Sequence, residues 1–285
     1  MNNTKDLKQL YLIGIEECKK GNFQKGVEIF RYLARMGDKD AMMSLGQVLK
    51  LIGQFKEGFI WTEKAANLGV KEAILNIAIM YYRGEGVECS VKEAINWLDK
   101  LYEMGYFDEA FSQMAYAYLQ PADEAQRDLD KVFYYAEKGT KMVYKYFPKP
   151  IKNARIESPF ILGLCYQVGI GTEVNLNEAM KYYDYCIKAN RTEAMLFASR
   201  VLADPDYEAY NLRKAIALLK KSIKLGDNAG YKFLGDLYFE HNNKAEFQNA
   251  LKYYNLYLES EVMDSVYYNE VNNNIKIIKS QLEIA

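Results

Sequence analysis

Histidine occurs once in the 285 residues, as His241 in the polar stretch Glu240-His241-Asn242-Asn243. A histidine-rich metal site is thereby excluded, and His241 lacks the neighbours that a triad or general base requires. It reads as a solvated loop residue. Proline is scarce, with five in all, and few stretches alternate as strands do, so helices are expected. The four cysteines, Cys18, Cys89, Cys165 and Cys186, form no CxxC pair and have no metal-type spacing. Reduced thiols in a cytoplasmic protein are the simplest account. No apolar run approaches the roughly 18–20 residues that cross a bilayer. Residues 1–9 are polar and charged, with no apolar core after a basic start, so no secretory signal is expected. An excess of one charge is also missing: 37 Lys and Arg stand against 38 Asp and Glu. That balance removes any general pull towards nucleic acid or an anionic membrane.

Hydrophobic residues make up 50% of the chain, enough for a substantial core, and tyrosine is abundant at 25. The chain also repeats itself. "YYRGEGVECSVKEAINW" (81–97) has an echo in "LCYQVGIGTEVNLNEAMKYY" (164–183). In both, a tyrosine (Tyr81, Tyr166) lies three residues before a Gly-x-Gly, and Glu-Ala then precedes an aromatic (Trp97, Tyr182). A small residue before that aromatic recurs as Gly26, Gly58, Ala94, Val132, Ala179, Ala215 and Ala250. The intervals are 32, 36, 38, 47, 36 and 35 residues. An earlier anchor recurs at Gly14, Gly46, Ala78, Ala115, Gly163 and Gly235, and is degenerate at Ser199.

Each unit reads as two helices. Residues 71–82 place Ile74, Ile77, Ala78 and Tyr81 on one face, and residues 91–104 do the same with Ala94, Trp97, Leu98 and Leu101. Gly37, Gly69, Gly105 and Gly226 end the second helices. Such a hairpin cannot bury its apolar faces alone, but stacked hairpins share a continuous core. The expected fold is therefore all-α: one solenoid of about seven helix-turn-helix repeats spanning 6–40, 41–72, 73–109, 110–158, 159–193, 194–229 and 230–265. A capping helix over 266–283 would close it, with Val271, Ile275, Ile278 and Leu282 inward.

The glycine pairs also invite a nucleotide reading, which fails on context. A dinucleotide fingerprint follows a strand, whereas Ile74–Tyr82 has a helical pattern, and Cys89 stands where the third glycine belongs. No phosphate loop ending in Gly-Lys-Ser/Thr is present. No catalytic, cofactor-binding or metal residues are assigned.

Ala73, Ile77-Ala78, Tyr81, Gly84, Gly86, Val87, Lys92, Ala94, Trp97 and Gly105 together form a pattern that resembles the Sel-one-like repeats, relatives of the tetratricopeptide repeat. Residues 159–190 carry it nearly as well, and the first two units have a shorter, more tetratricopeptide-like turn. The resemblance implies a right-handed α/α superhelix that acts as a non-enzymatic adaptor for a protein or peptide partner. It places the partner on a concave face lined by the first helices. The implied contacts are Tyr11, Ile15, Gln47, Asn76, Ile79, Tyr82, Arg83, Gln113, Tyr116, Leu164, Gln167, Arg200 and Asp236. Packing between first helices is the alternative role for several of these. One branch of the family is cysteine-rich, with a disulfide in each repeat. Here only Cys165 and Cys186 share a unit, and buried thiols are expected.

Two charge patterns remain. Asp40, Glu72, Glu109, Glu157 and Glu193 open successive first helices, where the helix dipole favours an anion, or where a cationic partner would find a column of acids. Residues 140–155 hold Lys141, Lys145, Lys149, Lys152 and Arg155 among Tyr144, Tyr146 and Phe147. That segment reads as a structural insertion, an acidic-partner site or, least in keeping with the charge balance, a nucleic-acid site. Two other functions stay open: an immunity-type protein that masks one enzyme or toxin, and a hydrolase of the cysteine-rich repeat type.

Overall fold

Apolar residues recur here at helical spacing, and glycine or a short polar turn interrupts them at regular intervals, so the chain folds into helix after helix. The computed structural model describes residues 2–154, 156–240, 244–260 and 265–284. Arg155 and His241 lie outside the described residues, so the expectations for them stay as they are. Among the described residues the regular structure is entirely helical.

Two units divide the chain, Met1–Tyr146 and Phe147–Ala285. The first holds the helices α1 (Asn2–Lys19), α2 (Phe23–Arg35), α3 (Lys39–Leu51), α4 (Phe55–Asn67), α5 (Lys71–Arg83), α6 (Val91–Glu103), α7 (Phe107–Leu119) and α8 (Leu129–Tyr146). The second holds α9 (Ser158–Val168), α10 (Leu176–Lys188), α11 (Thr192–Ala203), α12 (Leu212–Lys224), α13 (Ala229–Glu240), α14 (Lys244–Leu258) and α15 (Ser265–Ile284). Odd and even helices pair as seven hairpins, and α15 packs on α13 and α14.

The anchors of the sequence are where the two helices of a hairpin touch. A side chain at Gly163 would meet the Tyr183 ring at 2.7 Å, one at Gly14 would meet Phe30 at 2.7 Å, and one at Gly235 would fall on Tyr254. Glycine on the first helix thus makes room for an aromatic on the second, at the interior density that cores require. Three residues beyond these anchors the motif tyrosines stack: Tyr118 on Tyr135, Tyr166 on Tyr182 and Tyr238 on Tyr253, with ring planes within 9° of parallel. They are packing residues.

The turn Gly84-Glu85-Gly86 closes α5. Gly84 caps it in the left-handed region at φ 65°, and Gly86, at φ 80°, lies so close to the start of α4 that a Cβ would collide with the Phe55 backbone. The glycines serve a turn sealed against the previous hairpin. In four hairpins the residue before the second helix donates its N–H back across the turn: Ser90 to Tyr81 (3.0 Å), Asp128 to Tyr118 (3.2 Å), Asn175 to Tyr166 (2.8 Å) and Asn211 to Leu202 (2.7 Å). The same four side chains accept from the N–H three residues on, each an N-cap.

The 47-residue interval has a local cause. Thr140–Tyr146 continue α8, Thr140 and Val143 are buried, and Tyr146 stacks on Phe107 with ring centres 5.2 Å apart. Lys141 pairs with Glu137 at 2.8 Å. Further along, in the second unit, Tyr185 donates to the Phe147 carbonyl at 2.6 Å. Cys165 and Cys186 are buried as thiols, and burial pushes the Cys165 thiol up to about 12.

Candidate functional site

Within each unit, successive first helices lie side by side: α5 with α7, and α9 with α11, α11 with α13. Their shared face carries the residues one after and two before each anchor. Where neighbouring first helices part, open clefts remain.

One cleft lies between α3 and α5. It has a volume of about 240 Å³ and is lined by Gly46, Gln47, Lys50, Leu51, Thr62, Asn76 and Met80. Gly46 forms its floor, because α3 and α4 approach there backbone to backbone: a Cβ at Gly46 would meet the Gly58 carbonyl at 3.0 Å and collide with Thr62. Thr62 Oγ1 is already committed, donating to the Gly58 carbonyl at 2.8 Å. The single charge of the cleft, Lys50, is matched by Glu85 at 2.5 Å. Gln47 and Asn76, two predicted contacts from different repeats, converge here.

The second cleft lies between α11 and α13, with a volume of about 260 Å³. It brings Arg200 and Asp236 together, again two predicted contacts, with Asp204, Phe233 and Glu240 beside them. The Arg200 guanidinium sits 5.9 Å from the Phe233 ring centre. Asp236 is tied from behind: Lys232, only 6% exposed, pairs with it at 2.8 Å and with Glu270 of α15 at 3.1 Å. Tyr254 donates to Asp236 at 2.9 Å, and Asn274 donates to the Tyr254 hydroxyl at 3.0 Å. Burial raises the Asp236 pKa above the ordinary carboxylate value despite Lys232. Lys232, which burial alone would lower, is held above the ordinary lysine value by Asp236 and Glu270.

The other predicted contacts divide. Ile15, Ile79, Gln113, Tyr116 and Leu164 are half-buried, and Arg83 is exposed. Tyr11 bonds Ser44 between their hydroxyls at 2.9 Å, which links the first two repeats. Gln167 accepts from Tyr183 at 2.6 Å. Tyr82 is a correction. It is 4% exposed, so it packs and does not offer a surface; the segment after α7 returns to this point of α5, with the Ala122 N–H donating to the Tyr82 carbonyl at 2.8 Å.

The acid column is partly spent within the chain. Glu109 pairs with Lys71 at 2.7 Å and Glu157 with Arg191 at 2.9 Å. Arg191, its side chain only 9% exposed, stacks 4.3 Å above Phe160 and also donates to the Ile156 carbonyl, so it staples α9 to α11. Sequence reading missed this residue, since a lone Arg before a helix carries no motif. Among the described residues, no three His, Cys, Asp or Glu side chains gather as metal ligands, and no helix is long and apolar enough to cross a membrane.

The repeat anatomy has known counterparts. The Sel1 repeat matches five segments, 9–38, 40–70, 71–106, 160–185 and 192–227, which together cover more than half of the chain. The chain belongs to the Sel1 repeat family. A Sel1 repeat protein from Oxalobacter formigenes is 22% identical, with a TM-score of 0.58 over 88% of this chain and 100% of that one. A protective antigen of uropathogenic Escherichia coli with an SLR fold is 19% identical, with a TM-score of 0.38 over 98% of this chain and 69% of that one. A Sel1 repeat protein from Klebsiella pneumoniae is 18% identical, with a TM-score of 0.42 over 70% of this chain and 93% of that one. Among curated proteins, none matches the chain significantly. The five Sel1 matches fall on the hairpins α1–α2, α3–α4, α5–α6, α9–α10 and α11–α12. The hairpins α7–α8 and α13–α14 continue the same anchors at Ala115 and Gly235, with looser motifs.

Proposed function

We propose that the chain is a non-catalytic interaction scaffold that holds a protein or peptide partner on the first-helix face. One observation carries the reading: in each unit, side chains from the first helices of neighbouring repeats converge on an open cleft, Gln47 with Asn76 and Arg200 with Asp236. A cleft shared by two repeats binds only when both are folded and stacked, which suits affinity drawn from several repeats at once. Membership of the Sel1 family supports the same role.

The test compares partner recovery by the wild type with that by Gln47→Arg, Arg200→Glu and a second-helix control, Lys56→Glu. Loss with the first two and retention with the third supports the proposal. Equal recovery by all four contradicts it, and turnover by the purified chain across a hydrolase panel contradicts its non-catalytic part.

A further inference from the structure

The α3–α5 cleft differs from its counterpart in the second unit by being neutral. Its two converging polar side chains, Gln47 and Asn76, make no hydrogen bond within the chain among the described residues, although Asn76 is half-buried. One repeat further along the same face Gln113, at the register of Asn76, is half-buried and equally uncommitted. Other amides in sheltered places are engaged: Gln167 accepts from Tyr183, and Gln126 accepts from the Val91 N–H at 2.8 Å while donating to the Cys89 carbonyl at 3.2 Å. A carboxamide offers one acceptor and two donors, the complement of a peptide bond's N–H and C=O. The one charge in the cleft is satisfied by Glu85, so an ionic anchor on a ligand has no counter-charge to meet.

Building on the scaffold reading, we propose that the α3–α5 cleft recognises the main chain of an extended partner segment, with Gln47 and Asn76 as the groups that bond its peptide units and Gln113 continuing the row. Neighbouring packed helices stand roughly 8–10 Å apart, and an extended chain rises about 3.3–3.6 Å per residue. Asn76 and Gln113, on the contacting first helices α5 and α7, therefore meet a peptide unit about every third residue. Recognition through the main chain holds a segment without selecting its side chains, and leaves sequence preference to the apolar lining of Leu51 and Met80 and to the half-buried Ile79 that follows the α5 anchor.

The probe is a short peptide selected from a displayed random library on the full chain and then synthesised with single backbone N-methylations. Binding is measured by fluorescence anisotropy to the wild type, to Gln47→Ala/Asn76→Ala and to Ile79→Asp, and the fold of each variant is checked by circular dichroism. We expect N-methylation at one or two positions to weaken binding to the wild type roughly tenfold. The same N-methylation should change nothing against the double variant, which itself binds roughly tenfold or more weakly. Binding that is lost with Ile79→Asp but indifferent to N-methylation and to the amide variant overturns the main-chain inference and leaves the scaffold reading intact. Failure to select any peptide, or peptides indifferent to all three changes, overturns both.

Discussion

Between α3 and α5 the cleft has a glycine floor and two amides, whereas between α11 and α13 the same register carries Arg200, Phe233 and Asp236 with further acids around them. Gln47 and Arg200 each follow their anchor by one residue, and Asn76 and Phe233 each precede theirs by two. The repeat fixes where a side chain points, and substitution at fixed places sets what each cleft prefers. The second unit also invests in its cleft. Lys232, three residues before its anchor, is buried between Asp236 and Glu270, whereas the matching residue of α5 is the half-buried Leu75. A buried lysine paired to two carboxylates braces the charged cleft, and an apolar side chain takes that place behind the neutral one.

The largest effect that separates the two is Lys232→Met. It strands Asp236 against Tyr254 without a counter-charge and is expected to cost about 3 kcal/mol, while Leu75→Met costs under about 1.5 kcal/mol. Urea unfolding of both variants checks this, and similar midpoints would remove the ion network from the comparison. Next come the floors. Gly46→Val overpacks against Gly58 and Thr62 and should cost about 2 kcal/mol. Ser199→Ala, which loses only the bond to the Leu196 carbonyl at 2.6 Å, should cost about 1 kcal/mol. Equal thermal shifts would show that the α3–α4 approach is not tight.

Tyr183→Phe tests the packing of α10 on α9. It loses the bond to Gln167, worth about 1 kcal/mol at neutral pH. Burial holds the Tyr183 hydroxyl above its ordinary value of 10. The folded state therefore keeps a proton that the unfolded state releases, and the associated stability is complete below pH 10 and lost as pH rises further. Wild type should lose stability above that pH more steeply than Tyr183→Phe; parallel curves would refute the assignment. The smallest effect sharpens the functional side. Gln47→Ala should leave stability within about 0.5 kcal/mol, since the side chain is exposed and makes no internal bond.

The hairpins, their order and the final helix were legible in the sequence because each rests on a local necessity. Glycine or alanine stands where two helices touch, an aromatic lies opposite, and a left-handed residue follows the second helix. Asn190, at φ 65°, takes that last place where glycine is missing. The N-caps Ser90 and Asn175, each accepting the N–H of the Glu three residues on, came from the structure and were not read from the sequence. Of the proposed contacts, Gln47 and Asn76 line one cleft and Arg200 and Asp236 another, all four on first helices beside the sequence anchors. Tyr82 lines neither: it is 4% exposed, and the segment between α7 and α8 returns to α5 there, the Ala122 N–H donating to the Tyr82 carbonyl, a long-range contact that a face drawn on one helix does not contain. Ion pairs such as Lys71–Glu109, 38 residues apart, were hidden for the same reason.

The most direct measurement is site-specific photo-cross-linking in the cells that make the protein, with a photoreactive residue placed in turn at Gln47, Arg200 and the second-helix position Lys56. A first-helix docking face predicts discrete protein adducts from Gln47 or Arg200 and none from Lys56. Adducts of equal yield from all three positions, or from Lys56 alone, would contradict it.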